Sequence, residues 1–321
     1  MVQCNIERTG NPERPPYLPP NEARKAHTIA GIVRLVAVEG TIRAPAFPVR
    51  QVQKGATMAN IFSAVPAAAA ATALFTSLSA GTATAASFRS EYTVSYLGLT
   101  IARSRFDSTF DGDRFSVSGS MSSAGIAQIF DDTKGTVRAT GRFAGNAPLP
   151  DDFVTNYTSG DKKKKTEIGF AGGSVSKVVN IPPLKKRGND WVKMADGDLR
   201  AVTDPLSGTL IRADKPANVC GRTVKMFDGE MRANLVLNYV STGQVSIPGY
   251  SGESVTCSAR FVPVAGYKKN HRSIEFLKNR SKIAISFAPI GTTGVYAPVY
   301  ATVGTQIGTI TIRARKFEAV N

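Results

Sequence analysis

The sequence predicts a mainly β protein, in which a strongly curved antiparallel sheet or an incomplete β-barrel wraps around one helix. Three observations support this fold class. From Ser87 onward, apolar and polar residues alternate in many short runs. Turn signals that contain glycine separate these runs. Only one long stretch, from Leu199 to Ile211, carries apolar residues at helical spacing.

The first strands are predicted to form an antiparallel meander. Apolar and polar residues alternate between Phe88 and Tyr96, which places the apolar ones on one face of a strand. A second run, Leu99 to Phe110, ends at Asp111-Gly112-Asp113, which is typical of a hairpin turn. A short helix is predicted at Ser123 to Phe130. Further strands are predicted at Arg114 to Ser118, Lys134 to Phe143, Thr166 to Phe170 and Ser174 to Asn180, with Lys162 to Lys165 at the tip of the last hairpin.

The stretch from Leu199 to Ile211 predicts the helix inside the sheet. Its apolar residues recur three to four positions apart. Asp204 followed by Pro205 is a favourable pair for the N-cap and the first helical position. The apolar face of such a helix must be buried.

The remaining strands are predicted after a proline-rich loop and this helix. They are Arg222 to Phe227, Arg232 to Tyr239, Val255 to Pro263, Ile283 to Phe287, Val295 to Val303 and Gly308 to Ala314. Asp228-Gly229 and a loop from Gly243 to Gly252 separate the first three. The residues predicted to point inward are Tyr92, Val94, Tyr96, Phe115, Val117, Leu235, Leu237, Ile283, Ile285 and Phe287. This set is too apolar to face water, so the helix, an apolar ligand or both must cover it.

Residues 58–85 predict a cleaved export signal. The stretch from Ile61 to Leu78 is almost entirely small or apolar, and Ala83-Thr84-Ala85 supplies the small residues of a cleavage site after Ala85. An uncleaved membrane anchor is the alternative, but Pro66 interrupts the run and no basic segment follows it. Residues 1–57 predict a disordered leader or a start codon placed too far upstream. The expected product is a single periplasmic domain, 86–321, with no transmembrane segment.

Charge predicts contact with an anionic envelope surface. The chain has a net charge of +16, and the first 85 residues hold eight of its 40 basic and four of its 24 acidic residues, which leaves +12 after cleavage. Lipopolysaccharide, anionic lipid headgroups and cell-wall polymer fit this charge, whereas export argues against nucleic acid. The predicted basic rim comprises Lys162, Lys163, Lys164, Lys165, Lys185, Lys186 and Arg187, and further basic runs lie at Lys268 to Arg272 and Lys278 to Lys282. The alternative is that these runs are solvated hairpin tips that protect strand edges.

Cys220 and Cys257 are the two cysteines of the expected exported product, and they predict a disulfide in an oxidising compartment. Two free thiols are the alternative. A metal site is not expected, because the exported part has one histidine, His271, and the aspartates lack the spacing of a calcium loop.

The sequence predicts no catalytic residues and no cofactor. It lacks a phosphate loop and a dinucleotide-binding motif, and Pro205 stands where a nucleophile elbow around Ser207 would need glycine. Helix caps and turns account for the aspartates. An uncharacterised hydrolase remains an alternative. An open pocket in which five particular residues lie close together would favour it. Those residues are Asp204, Ser207, Asp228, Arg232 and His271.

One set of residues resembles a known family. Asp204-Pro205-Leu206-Ser207, Asp228-Gly229, Arg232 and the cysteine pair resemble the exported bacterial family catalogued as domain of unknown function 3108. This resemblance implies a periplasmic, mainly β protein similar to the curved half-barrels of lipoprotein carriers. It implies no established activity.

Two non-catalytic functions follow from these expectations. In the first, a periplasmic cell-envelope protein holds an apolar or lipid-like ligand on the concave side of its sheet. In the second, a structural or interaction protein supports envelope integrity, and its own helix fills the concave side. Large residues that pack the Leu199 to Ile211 stretch into the sheet would favour the second function.

Overall fold

A computed structural model describes residues 85–125, 127–130 and 132–320. Within this part of the chain, one antiparallel sheet contains fourteen strands. The strands are β1 (Ala86–Tyr96), β2 (Leu99–Asp111), β3 (Arg114–Ser123), β4 (Thr133–Ala144), β5 (Ala147–Ser159), β6 (Lys162–Ala171), β7 (Ser174–Ile181), β8 (Ile211–Arg212), β9 (Arg222–Phe227), β10 (Arg232–Ile247), β11 (Tyr250–Ala265), β12 (Ile283–Pro289), β13 (Val295–Thr305) and β14 (Gly308–Val320). The described part of the chain also contains two α-helices, α1 (Ala127–Phe130) and α2 (Arg272–Asn279). The predicted leader and all of the export signal except Ala85 lie outside the described residues.

The strand order places β7 and β9 at the two edges of the sheet. The order is β7-β6-β5-β4-β3-β2-β1-β14-β13-β12-β11-β10-β9, and the short strand β8 pairs with β13. Because neighbouring strands are antiparallel, alternate connections lie at the same end of the sheet. We call the end with the β1–β2 turn the upper end and the end with the β2–β3 turn the lower end. The prediction of a mainly β fold with a curved antiparallel sheet is confirmed.

The predicted loop from Gly243 to Gly252 is wrong. Strands β10 and β11 continue through it as a long hairpin, in which Gly243 pairs with Ser254 and Val245 with Gly252. The connection is shortened to Pro248 and Gly249, and Gly249 has a φ of +89°. Glycine does not prevent strand pairing, since the ladder uses only backbone groups.

The predicted helix from Leu199 to Ile211 is also wrong. This stretch contains only a single 3₁₀ turn, Ser207–Thr209, followed by β8. The backbone N–H groups of Val202 and Thr203 donate to carbonyl oxygens of other segments, Gly173 and Lys225, so they are not available for a helix. The segment 199–211, which the sheet encloses, therefore has an irregular backbone, although its apolar residues are spaced as in a helix.

Two smaller expectations need correction. The helix predicted at Ser123 to Phe130 is limited to α1, because Ser123 still belongs to β3. The lysines from Lys162 to Lys165 are not at a hairpin tip but form the start of β6, where Lys163 pairs with Thr158. Gly160, with a φ of +54°, and Asp161 suffice for the turn.

The core is divided into a main cluster and smaller ones. The main cluster combines both halves of the sheet with the irregular segment, and it contains Phe88, Phe110, Phe115, Val117, Ala139, Phe143, Phe153, Ile168, Phe170, Val202, Leu206, Leu210, Phe227, Ala288, Ile290, Val295, Ala297, Val299, Ala314 and Phe317. A second cluster includes Ile211, Val219, Leu237, Val255, Phe287 and Tyr296. Adjacent residues Val295 and Tyr296 belong to different clusters, so β13 is buried on both faces.

The predicted inward-facing set is therefore not one surface. Phe115 and Val117 belong to the main cluster, and Tyr92 packs against it. Val94 and Tyr96 form a separate cluster with Ile101, Ala102 and Ile310 near the upper end. Leu237 and Phe287 are in the second cluster, where Leu235, Ile283 and Ile285 are partly buried. The segment after β8 covers this second surface.

Candidate functional site

Residues 199–203, which we call the seam segment, join the two edges of the sheet. On one side, the N–H of Val202 donates to the carbonyl oxygen of Gly173 at 3.1 Å, and the N–H of Val175 donates to that of Leu199 at 3.0 Å. On the other side, the N–H of Thr203 donates to Lys225 at 2.8 Å, and the N–H of Phe227 donates to Thr203 at 2.9 Å. The seam segment thus links the β6–β7 hairpin to β9, although β7 and β9 do not pair directly.

Asp204 holds the turn that follows the seam segment. Its side chain is fully buried, and Oδ1 accepts hydrogen bonds from the N–H groups of Leu206 and Ser207, both at 2.8 Å. Burial raises the pKa of Asp204 to about 6, although the hydrogen bonds from Ser207 and Leu206 favour the charged form. Asp204 is the predicted N-cap of a long helix, but the N-cap of the 3₁₀ turn is Leu206, and the Asp204 carboxylate instead accepts hydrogen bonds from the N–H groups that lead into this turn.

Asp228 has the same geometry in the β9–β10 turn. Its Oδ1 accepts hydrogen bonds from the N–H groups of Glu230 at 2.9 Å and Met231 at 2.8 Å. Gly229, which follows Asp228 in this turn, has a φ of +92°. It lies so close to β6 that a Cβ atom at this position would be 2.4 Å from Thr166 Cγ2. The side-chain amide of Asn180 donates to the carbonyl oxygen of Gly229 at 3.0 Å. This turn is a second contact between the two edges of the sheet.

Arg232 attaches the same region to the loop before the seam segment. Its side chain is buried, Nε donates to the carbonyl oxygen of Asp198 at 2.9 Å, and Nη1 donates to Asn234 Oδ1 at 2.7 Å. Burial lowers the pKa of Arg232, and the negative charge of Asp198 opposes this shift. Asp204, Asp228 and Arg232 of the family motif therefore lie near the seam, where each one stabilises a turn or connects two segments.

The structure separates two members of the alternative catalytic set. Ser207 is fully buried in the turn after Asp204. His271 lies at the upper end, in the loop between β11 and α2, and it directly precedes the helix. Among the described residues, no group of three or more histidine, cysteine and acidic side chains is arranged to hold a metal ion.

The four basic runs lie at the upper end. Lys162 to Lys165 start β6, and Lys165 pairs with Ile181 at the end of β7. Lys185 to Arg187 follow in the next loop, where Arg187 Nη2 lies 2.5 Å from Glu230 Oε1 in the β9–β10 turn. The run from Lys268 to Arg272 follows β11, and the run from Lys278 to Lys282 precedes β12. The basic residues thus lie on both sides of the seam, and we call the four runs together the basic arc.

Several basic side chains in this arc are exposed to solvent. Lys162, Lys163, Lys185 and Lys186 are all exposed. Others are held by neighbouring side chains. Lys268 Nζ is 3.1 Å from Asp190 Oδ2, and the Arg187 guanidinium stacks 4.2 Å from the centre of the Trp191 ring. The exposed lysines leave the arc positively charged.

Cys220 and Cys257 form the predicted disulfide, with Cα atoms 5.7 Å apart. Cys257 lies in the middle of β11, and Cys220 follows a 3₁₀ turn at Pro216–Asn218. Both residues are buried in the second cluster. The disulfide fixes the segment after β8 against the sheet.

A polar groove crosses the outer face of β1 to β5. It consists of two adjoining cavities of about 690 and 680 Å³ that share Arg105, Ser120, Thr136 and Asn156. Phe106 and Val117 occupy the alternate positions of β2 and β3 and belong to or pack against the main cluster, so the groove is on the opposite face.

A family model decides the identification. The model for a protein of unknown function, DUF3108, matches residues 91–315. The chain belongs to the DUF3108 family. No protein of curated function matches it. Among solved structures, this DUF3108 protein is similar to a beta-barrel-like protein of domain of unknown function DUF1849 from Brucella abortus, with 9% identity, coverage of 74% of this chain and 98% of that chain, and a TM-score of 0.41.

Sequence reasoning found the motif residues but missed their partners. Thr166 and Asn180, which contact the Asp228-Gly229 turn, lie in strands that are distant along the chain. No periodicity or local motif in the sequence predicts that these two residues contact the turn, because the contact depends on the curvature of the sheet. The only local signal is Gly229 itself, since glycine after aspartate is typical of a turn with positive φ.

Proposed function

We propose that this DUF3108 protein is an exported, non-catalytic protein of the cell envelope that binds an anionic envelope surface through its upper end. The observation that carries this proposal is the common position of the four basic runs at that end. A surface with several unpaired lysines attracts lipid phosphates or other anionic groups, and its affinity should fall as salt screens the charges.

The main cluster supports an interaction protein over a lipid carrier. Val202, Leu206 and Leu210 are buried between the two halves of the sheet, where a carried acyl chain would have to lie. The chain's own side chains thus provide the apolar contacts that a ligand would otherwise provide. This arrangement matches the expectation of a self-filled core, although an irregular segment takes the place of the helix.

Vesicle sedimentation tests the proposal. The protein should bind vesicles that contain phosphatidylglycerol at low salt and should not bind pure phosphatidylcholine vesicles. Substitution of Lys162, Lys163, Lys185 and Lys186 with serine removes four exposed charges. Each lysine near an anionic membrane contributes about 1 kcal/mol, so the affinity should fall on the order of a hundredfold or more.

A matched control removes four exposed basic residues from the lower half of the sheet. Arg114, Arg142, Arg200 and Lys215 are exposed and lie on or beside lower-end turns. Their substitution with serine changes the net charge equally and should leave binding much less affected. Equal losses for the two variants would show that net charge alone drives binding, and absence of vesicle binding would reject the proposal. Native mass spectrometry that detects copurified lipid inside the protein would favour the carrier function instead.

A further inference from the structure

The upper end also carries exposed apolar side chains. Among the described residues, seven large hydrophobic side chains are exposed, and four of them lie in or next to upper-end turns or loops. Leu97 lies in the β1–β2 turn and Leu99 begins β2, while Ile181 ends β7 and Leu184 lies in the loop that follows it. Between 43% and 54% of each of these four residues is accessible to solvent. We call these four residues the apolar tips.

Leu97 occupies a position that leucine rarely adopts. The turn between β1 and β2 consists of Leu97 with a φ of +49° and Gly98 with a φ of +80°. A two-residue hairpin turn with positive φ at both positions favours asparagine, aspartate or glycine. A leucine here is unfavourable for the backbone and also leaves an apolar side chain in water. Neither the positive φ of Leu97 nor the exposure of its side chain stabilises the folded protein.

The second pair of apolar tips lies within the basic arc. Ile181 pairs with Lys165, and Leu184 directly precedes Lys185 and Lys186. Pro182 and Pro183 between them restrict the backbone of this loop. Apolar side chains that protrude among lysines have the composition of surfaces that bind at the boundary between lipid headgroups and acyl chains.

We propose that the upper end docks on an anionic phospholipid bilayer and inserts the apolar tips below its headgroups. This inference rests on the proposed function and specifies the envelope surface as a bilayer. Charge complementarity decides the occupant: a second copy of this chain would present the same basic arc and be repelled, whereas anionic headgroups attract it. A bilayer can also receive two separate tips, one beside β1 and one beside β7, without a matching pocket.

Insertion and electrostatic attraction have different dependences on salt. Attraction between lysines and headgroups is screened by salt, but the transfer of leucine side chains out of water is not. Binding should therefore consist of a salt-sensitive part from the lysines and a salt-resistant part from the apolar tips.

The experiment compares paired variants of the full-length exported protein. One variant carries Leu97→Asn and Leu99→Ser, a second carries Ile181→Ser and Leu184→Ser, and a third combines all four. The Asn substitution suits the positive φ of position 97, so the fold should be retained. The matched control carries Tyr239→Ser and Val240→Ser, two equally exposed apolar residues in the middle of β10. Melting temperatures confirm that every variant is folded.

Two measurements use phosphatidylglycerol: the affinity for vesicles at high salt, and the rise in surface pressure when protein is added beneath a lipid monolayer. Each pair of apolar tips should contribute about tenfold to the affinity at high salt, and the combined variant should no longer raise the surface pressure. The control should behave as the native protein does. Unchanged affinity and pressure in the combined variant would overturn the inference.

The design separates this inference from the proposed function. If the native protein binds vesicles only at low salt and does not raise the surface pressure, insertion is rejected while the proposed electrostatic binding stands. If it binds no phosphatidylglycerol vesicle at any salt concentration, both fail. If the apolar tips matter only for capture of a protein partner, the vesicle measurements remain unchanged and insertion is again rejected.

Discussion

The side-chain amide of Asn180 donates a hydrogen bond to the backbone carbonyl of Gly229, with 3.0 Å between Nδ2 and the oxygen. Asn180 lies in β7 and Gly229 lies in the turn after β9, so this contact joins the first and last strands of a thirteen-strand order. The hydroxyl of Thr166 orients the Asn180 amide by donating to its Oδ1 at 2.8 Å. Together with the seam segment, this contact holds the sheet in its curved form.

Substitution of Gly229 with alanine should destabilise the protein strongly. The positive φ of +92° disfavours any side chain, and the new Cβ atom would be 2.4 Å from Thr166 Cγ2. We expect a loss on the order of 2 kcal/mol or more in the free energy of unfolding, measured with urea. Gly112→Ala is the control, because Gly112 also has a positive φ but no atom within 4 Å of a Cβ. Equal losses in the two variants would mean that contact with Thr166 is unimportant.

Asp204 should make stability depend on pH. Its pKa is about 6 in the folded protein and 3.8 as the ordinary value, so folding favours the protonated form. The associated stability is complete below about pH 4 and is lost as the pH rises through about 6. Asp204→Asn retains an Oδ1 acceptor for the turn but cannot ionise. Relative to the native protein, its free energy of unfolding should therefore rise by up to about 3 kcal/mol between pH 4 and pH 7.

Asp214→Asn provides the comparison for this pH experiment, since Asp214 is exposed to solvent. Urea unfolding of the native protein and both variants at several pH values gives the required differences. A constant difference between Asp204→Asn and the native protein across this pH range would contradict the raised pKa.

Removal of the disulfide should lower the thermal stability by several degrees. Cys220 and Cys257 are 37 residues apart, for which the chain-entropy model gives on the order of 3 to 4 kcal/mol. The double variant Cys220→Ser and Cys257→Ser should melt several degrees below the native protein in calorimetry. Native protein treated with a reductant should show the same decrease. Labelling of both thiols in unreduced native protein would disprove the disulfide.

Export can be tested at the N-terminus. A gene that begins translation at Val52 should produce a protein that is exported and processed to the same size as the product of the native gene. The first residue of the processed protein should be Ala86, which N-terminal sequencing determines. Peptides from residues 1–57 in the native product would contradict the prediction that translation starts downstream.

The sequence by itself determined the local elements of this protein. The alternation from Phe88 to Tyr96 predicted β1, and Asp111-Gly112-Asp113 predicted the turn into β3, because side-chain direction and turn preference depend on adjacent residues. The cysteine pair also followed from composition, since the predicted exported part contains two cysteines, which leave one pairing.

Only the tertiary structure decided the backbone conformation between Leu199 and Ile211 and the contacts between segments that are distant along the chain. The apolar spacing of that stretch correctly predicted burial but not a helix, because β9 and the β6–β7 hairpin bind the backbone groups that a helix would use. The same curvature brings Asn180 to Gly229 and gathers basic runs from four parts of the chain at one end. Such contacts depend on strand order and on the curvature of the sheet, which no local pattern of residues specifies.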